Sequence, residues 1–139
     1  MSKESASPDL VEFTREVFEA VNRRDLDASL SFYGPDVAWD GSSLGIGTFE
    51  GAVAFRRFVE DWVAAYDELK FELEETLDLG NGVVFMVHDQ TGRPVGSTGY
   101  VRQRGAWVIV WELGLIVQVT VYADIDEGRA AAERLAKEG

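Results

Sequence analysis

Hydrophobic positions near the start of the chain repeat every three or four residues, which is the spacing of one face of a helix. The apolar stripe consists of Leu10, Val11, Phe13, Val17, Phe18 and Val21. Ser7 is placed to cap this helix, and Pro8 to occupy its first turn. Asp25 is placed to cap a second, shorter helix, which Gly34 and Pro35 end. The pattern therefore predicts two helices before Pro35.

The strongest helical pattern follows Gly51. Its apolar side consists of Phe55, Phe58, Val59, Trp62, Val63 and Tyr66, at i, i+3, i+4, i+7, i+8 and i+11. Arg56 and Glu60 stand on the opposite side, one turn apart, where they can form an ion pair. The segment predicts an amphipathic helix whose apolar face covers a core. Before it, residues 37–39 predict a short strand.

After Tyr66 the period of the pattern changes from 3.6 to two, which is typical of strands with one solvated face. Glycine-containing turns separate the apolar segments. The pattern predicts strands over residues 71–79, 83–91, 95–111 and 115–123. The third of these is expected to bend at Gly99 or Gly105. Asp126 is placed to cap a last helix over residues 127–137.

Consecutive strands joined by short turns pair antiparallel, and helices gathered before them cover one face. We therefore expect an α+β domain over residues 1–139, with residues 1–6 disordered and a strongly bent antiparallel sheet covered on its concave face by the N-terminal helices. The convex face is expected to be uncovered. The outward residues of the last strand would be Ile116, Gln118, Thr120 and Tyr122. Such a face suits a second subunit, so the sequence predicts a homodimer.

Composition and charge argue against several kinds of function. Hydrophobic residues make up 46% of the 139 residues, and the absence of cysteine removes disulfides and thiolate chemistry. A net charge of −12 disfavours nucleic-acid and anionic-membrane partners. One histidine without an acidic cluster beside it predicts neither a metal nor a cofactor. No apolar run approaches the ~20 residues of a membrane span, and residues 1–7 lack a secretory signal's apolar core, so a cytoplasmic protein is expected.

Several short motifs, in order along nearly the whole chain, carry a family resemblance. They are Phe18–Asn22 with Arg24–Leu26, Pro35–Val37, Gly47–Gly51, Gly114–Val117 and Val121–Asp124. With these motifs the chain resembles the nuclear transport factor 2-like superfamily, and within it the SnoaL-like branch, which includes ketosteroid isomerase-like and polyketide cyclase-like proteins. The resemblance implies a cone-shaped α+β fold, commonly a homodimer, with an apolar pocket between sheet and helices. This fold serves isomerases, cyclases, hydrolases and non-catalytic binders, so the fold does not choose among them.

Asp40 is the first candidate catalytic residue, because it ends the first strand directly after Trp39. Asp40 resembles the aspartate that moves the proton in ketosteroid isomerases of this fold, and apolar surroundings would raise its pKa. The oxyanion-hole residues of those enzymes have no counterpart, since Val17 and the Ala106-Trp107 pair take their positions. In the alternative interpretation, Asp40 accepts backbone hydrogen bonds in a turn.

His88 is the second candidate catalytic residue and the single histidine of the chain. It lies in the middle of a predicted strand, and the pattern leaves open which face of the sheet it occupies. If the ring points into the cone, it can assist as a general acid or base, because its free pKa lies near neutrality.

Large apolar residues are candidates for binding a substrate. They are Trp39, Phe55, Trp62, Met86, Trp107 and Ile109. Trp107 and Ile109 share one side of the long strand, which lines either the pocket or a dimer interface, and we favour the pocket. Trp62 fits ordinary core packing equally well.

Two kinds of function stay open. The first is an enzyme that transfers a proton on a small hydrophobic, carbonyl-bearing molecule, with Asp40 as the shuttle and His88 assisting. The second is a non-catalytic module that binds a small apolar ligand, or a dimeric scaffold of the same fold. The number of ionisable groups that converge in the pocket separates them, because an enzyme of this kind also needs oxyanion stabilisation.

Overall fold

The fold is a curved six-stranded sheet with helices packed on both faces. The computed structural model describes residues 9–138. Its elements are α1 (Leu10–Asn22), α2 (Leu26–Leu30), β1 (Tyr33–Asp40), a 3₁₀ turn (Ser42–Leu44), β2 (Thr48–Glu50), α3 (Ala52–Ala64), β3 (Tyr66–Gly80), β4 (Val83–Pro94), β5 (Val101–Glu112), β6 (Leu115–Tyr122) and α4 (Ile125–Glu138). The disorder expected for residues 1–6 and the helix start expected at Ser7 and Pro8 lie outside the described residues. Within them, the Asp9 side chain caps α1 by accepting a hydrogen bond from the Glu12 N–H at 3.1 Å.

The sheet has the strand order β2-β1-β6-β5-β4-β3. Every neighbouring pair is antiparallel except β1 and β6, which run parallel and so place the first strand beside the last. The α+β class and the bent sheet are confirmed. The expected number of strands was too low by one, because the three-residue β2, which pairs with β1, was not predicted. β1 is also longer than the predicted residues 37–39.

Several element boundaries differ from the sequence prediction. The third helix ends at Ala64, and Tyr66 already pairs with Pro94 at the start of β3. The segment 95–100 forms a turn instead of strand, so β5 begins only at Val101. The last helix begins at Ile125, and Asp124 instead of Asp126 accepts the capping hydrogen bond, from the Glu127 N–H at 3.0 Å.

The convex face is not uncovered, contrary to the expectation. α4 packs its small residues Ala132 and Ala136 against that face, and alanine allows the helix to approach the sheet closely. The sheet residues under it are Val83, Phe85, Val87, Ala106 and Val108. Gly128 continues this close contact, since a Cβ there would lie 3.2 Å from the Tyr122 ring.

The last strand departs from strict alternation near its start. A register irregularity at Val110 and Trp111 turns Ile116 inward, where it is 1% exposed, so its expected outward position was wrong. Gln118 and Thr120 do point away from the concave core. The homodimer stays a prediction, and α4 covers part of the face that was expected to form it.

The concave core is covered by α1 and α3, and the side chains of Asn22, at the end of α1, and of Arg24, just after it, fix how α1 sits against α3 and β3. Asn22 donates to the Phe71 carbonyl at 2.9 Å and accepts from the Phe71 N–H at 2.8 Å. Arg24 has a left-handed backbone with φ of 63°. Its guanidinium donates to the carbonyls of Val63, Tyr66 and Asp67 at 3.0–3.2 Å. The end of α1 is thus tied to the point where α3 passes into β3.

Replacing Arg24 by alanine should lower the free energy of unfolding by about 2 kcal/mol, because three carbonyls at the end of α3 lose a charged donor. Urea unfolding measures the change. Arg23→Ala is the matched control, since among the described residues the Arg23 side chain makes only an exposed ion pair with Asp25 at 4.0 Å, and its effect should stay within about 0.5 kcal/mol. Equal effects of the two substitutions would contradict this role of Arg24.

Candidate functional site

The concave side of β4 and β5 brings His88 into the cone. It pairs with Gly105, and its Nε2 lies 3.7 Å from where a Cβ at Gly105 would stand, which is ordinary van der Waals contact. The imidazole is 5% exposed and meets the rings of Phe71 and Trp107 edge to face, with centroids 5.7 and 6.2 Å apart. Of the two faces that the sequence left open, His88 therefore occupies the inner one.

The His88 ring is electrically neutral at pH 7. Burial lowers the pKa of His88 to about 4, and the nearby charges of Asp89 and Glu74 raise it less. Asp89 itself lies on the outer face, where Arg102 binds its carboxylate and holds its pKa low. Within the part of the chain that the structure describes, the buried Nδ1 of His88 has no hydrogen-bond partner.

Three spaces follow one another from the surface into the cone. The outer groove, of about 380 Å³, is lined by Ile46, Phe58, Asp61, Trp62, Tyr66, Gln90 and Gln103. Behind it, the inner void, of about 20 Å³, includes Trp39, Trp62, His88 and Trp107 in its lining. The deep void, of about 30 Å³, lies between α1, α2, α3 and the sheet. Binding sites for small molecules measure ~300–1,000 Å³, so aromatic rings fill most of the cone here.

The six predicted binding residues all lie in the concave core. Trp39, Trp62 and Trp107 line the inner void, and Trp107 therefore lies in the cone and not in an interface. Phe55 lines the deep void, together with Trp62 and Trp107. Met86 and Ile109 are at most 1% exposed and line none of the three spaces. The structure thus brings four of the six to the spaces and leaves two as core.

Asp40 does not join His88 in the cone. Trp39 points inward, so Asp40, next along the strand and paired with Thr120, belongs to the opposite face. Its carboxylate accepts hydrogen bonds from the Ser42 N–H at 2.9 Å and the Thr48 hydroxyl at 3.3 Å. The bonds from Ser42 lower the pKa of Asp40, so the expected rise by burial was wrong. The turn interpretation of Asp40 is the one that fits.

Two glutamines of the site were missed by the sequence analysis. Gln90 and Gln103 face each other across β4 and β5, and both line the outer groove and the inner void. Gln90 lies two residues after His88 and so shares its face, which the alternation could have indicated. Gln103 needed the register of the β4–β5 pair, which the sequence does not give.

The chemistry available at this place is hydrogen bonding in an aromatic setting. Over residues 9–138, no three histidine or acidic side chains come together as a metal site would need. Nor does that part of the chain contain a helix long and apolar enough to cross a membrane. His88, Gln90 and Gln103 supply neutral donors and acceptors, and three indoles supply the walls.

A family model described as a SnoaL-like domain matches residues 14–119. The chain belongs to the SnoaL-like domain family. No curated protein sequence matches this SnoaL-like domain significantly.

Solved structures share the fold of this SnoaL-like domain. A nuclear transport factor 2-like protein of unknown function from Burkholderia pseudomallei K96243 has 22% identity and a TM-score of 0.72, over 87% of this chain and 95% of its own. TerC, co-crystallised with polyporic acid, has 16% identity and a TM-score of 0.70, over 88% and 97%. A ketosteroid isomerase-like protein from Catenulispora acidiphila DSM 44928, in complex with trimethylamine, has 13% identity and a TM-score of 0.71, over 80% and 84%. These likenesses establish the cone-shaped fold.

The buried His88 should make stability depend on pH. The pKa of His88 in the folded protein, about 4, lies below the ordinary value of 6.5. The contribution of the neutral ring to the free energy of unfolding is therefore complete above pH 6.5 and is lost as the pH falls towards 4. The loss is on the order of 3 kcal/mol. Urea unfolding at pH 7.5, 6.0 and 4.5 measures the free energy of unfolding of the wild type and of His88→Gln. The difference between the two proteins at each pH reports His88, because the titration of the other groups cancels. A wild type that gained stability relative to the variant on acidification would contradict the assignment.

Asp40→Asn should lower the free energy of unfolding by about 1 kcal/mol at pH 7, because the amide accepts the turn hydrogen bonds less strongly than the carboxylate. Since the pKa of Asp40 is lowered on folding, this difference should be present above about pH 4 and shrink below it. Thermal melts between pH 3 and 7 follow the change. Asp36→Asn is the control, because its exposed carboxylate accepts no hydrogen bond from a described residue.

Proposed function

We propose that the protein binds a small, flat, neutral and largely apolar molecule through the outer groove and the inner void. One hydroxyl or carbonyl group of this ligand meets His88, and its ring lies among the indoles of Trp39, Trp62 and Trp107. The observation that carries the proposal is the neutral, buried His88, without a hydrogen-bond partner among residues 9–138, at the closed end of an aromatic cleft.

The His88 imidazole can serve either type of ligand group. In neutral imidazole one nitrogen carries a hydrogen and the other accepts. Because no described residue bonds to Nδ1, nothing there fixes which nitrogen carries the hydrogen. Nε2, beside Gly105 of the inner-void lining, is therefore available to donate to a carbonyl or to accept from a hydroxyl. A ligand group at Nε2 would give the imidazole one hydrogen bond, while Nδ1 stays buried without a partner among residues 9–138.

Binding is supported better than proton transfer. Asp40, which the isomerase resemblance implies as the base, lies on the other face with a lowered pKa. His88, with a pKa of about 4, is a weak base at pH 7. Isomerase- or cyclase-like chemistry on a carbonyl-bearing molecule is the second candidate, and His88 is the group that would carry it. The small molecules bound to TerC and to the Catenulispora protein accord with a ligand-binding cone.

The proposal predicts selective binding of 4-phenylphenol, a flat probe with one hydroxyl. The wild type should bind it, and His88→Phe should weaken the affinity about tenfold, because the variant keeps a ring but loses both nitrogens. Biphenyl, which lacks the hydroxyl, should bind both proteins equally. Tryptophan fluorescence titration measures the four affinities.

Asp40→Asn is the matched control and should bind 4-phenylphenol as the wild type does, since its carboxylate lies outside the cone. A wild type that fails to bind the phenol up to its solubility would overturn the proposal. So would equal affinities of the wild type and a folded His88→Phe for the phenol. An Asp40→Asn protein with a tenfold weaker affinity would contradict the placement of Asp40 outside the binding site.

A further inference from the structure

The deep void differs from the inner void in its polar groups. Among the described residues that line it, Ser29 and Tyr33 carry the hydroxyl groups, and most of the rest are aliphatic or phenyl side chains. Ser29 is 2% exposed and Tyr33 is partly exposed, and neither hydroxyl forms a side-chain hydrogen bond with another residue between 9 and 138. Burial raises the pKa of Tyr33, so its hydroxyl is neutral and can donate.

Trp62 is the residue that separates the spaces. Its indole lines the outer groove, the inner void and the deep void, and within the described lining no other residue belongs to all three. Trp107 shares the wall between the two voids, but it is fixed in the sheet and 4% exposed. The wall between the voids is therefore shared by Trp62 of α3 and Trp107 of β5, and Trp62 is the one of the two that also borders the outer groove.

The Trp62 indole is held by ring contacts alone. It packs against Trp39, Phe58 and Phe71, with centroids 5.4–6.3 Å apart, and its N–H forms no hydrogen bond with a described residue. Trp62 is also partly exposed, and the outer groove of about 380 Å³ lies beside it. Such a side chain can change rotamer without unfolding its surroundings. When it turns into the groove, it leaves the space that divides the inner void from the deep void.

We propose that the outer groove, the inner void and the deep void are parts of one elongated site that Trp62 divides. The ligand that this site takes is a rigid, flat molecule with a hydrogen-bonding group at each end. One end meets His88 in the inner void, and the other meets Tyr33 or Ser29 in the deep void. This inference rests on the proposed function and adds to it the class of ligand and the residue that admits it.

The sizes of the two voids support a divided site. At about 20 and 30 Å³, each is too small for any organic ligand and holds at most a water molecule or two. Each nevertheless has polar groups in its lining: His88 in one, whose buried Nδ1 has no partner among residues 9–138, and the Ser29 and Tyr33 hydroxyls in the other. A ligand with two polar ends can form hydrogen bonds with both sets at once.

The two-ended site is tested by comparing pairs of ligands on the wild type and on single-residue variants. The probes are 4,4′-dihydroxybiphenyl against 4-phenylphenol, and the shorter 2,6-dihydroxynaphthalene against 2-naphthol. In the wild type at least one diol should bind ~10-fold more tightly than its monophenol. Tyr33→Phe or Ser29→Ala should remove that gain and leave the affinity for the monophenol unchanged. A diol that gains nothing over its monophenol, or a gain that survives both substitutions, would overturn the inference.

Binding kinetics test the role of Trp62. In the wild type the observed binding rate should level off at high probe concentration, because the indole must turn before the probe enters. In Trp62→Ala, or in Trp62→Leu should the alanine variant not fold, the rate should rise linearly with concentration. Val53→Ala is the control, since Val53 lies on the solvent side of α3, is 76% exposed and lines none of the three spaces, and it should keep the plateau. A binding rate that still levels off in the Trp62 variant would show that the Trp62 side chain does not divide the site.

The two proposals fail in different ways. If 4-phenylphenol does not bind the wild type, or binds without dependence on His88, the proposed function fails and the elongated site fails with it. If the phenol binds through His88 but neither diol gains affinity, only the two-ended site fails.

Discussion

The packing of Trp39 is the interaction on which the rest of the structure depends. Its indole is 1% exposed and meets the rings of Phe49, Phe55, Phe58, Trp62 and Trp107, with centroids 4.9–6.3 Å apart. These contacts join β1, β2, β5 and α3, and each aromatic pair contributes ~0.5–1.5 kcal/mol beyond the area it buries. Gly41 lets the chain turn directly over the ring, since a Cβ there would lie 2.6 Å from Trp39 Cζ3. The closed state of the cone follows from this cluster.

The alternation of side chains along strands decides the electrostatics of the cone. Trp39 and His88 point inward, and the next residues, Asp40 and Asp89, therefore point to the outer face. There Arg102 neutralises Asp89, and backbone and hydroxyl donors hold Asp40. The cone thus presents neutral hydrogen-bonding groups inside a chain with a net charge of −12. A neutral ligand enters such a site without leaving a charge unpaired.

The sequence predicts well those features that depend on local periodicity. The apolar stripes of α1 and α3 and the change of period after Tyr66 established both helices and the long strands. β2 was missed because three residues show no period, and β1 was cut short because Gly34 and Pro35 are typical of turns. The docking of α4 was missed because alanines give a weak apolar signal, although they suit close packing against a sheet.

The residues of the candidate site also fall into two groups, those that a local pattern predicts and those that it does not. The aromatic lining followed from which residues are large and share a face, and His88 followed from being the one histidine. To place Asp40, one must know that the in–out alternation of the strand continues for one residue after Trp39. The sequence does not tell this, because the strand ends there and a turn begins. Gln103 and the partition by Trp62 depend on register and on rotamer, which no local pattern encodes.

The parallel pairing of β1 with β6 has a consequence for how the protein is made. β1 ends at Asp40, yet one of its two neighbours begins only at Leu115. During synthesis, α1, α3 and β1 therefore leave the ribosome with their apolar faces bare, and they cannot complete their core until β6 follows. Contacts so distant in sequence slow folding, and exposed apolar surface at that stage invites association between chains. We therefore expect the chain to depend most on a molecular chaperone while only its N-terminal half has been synthesised.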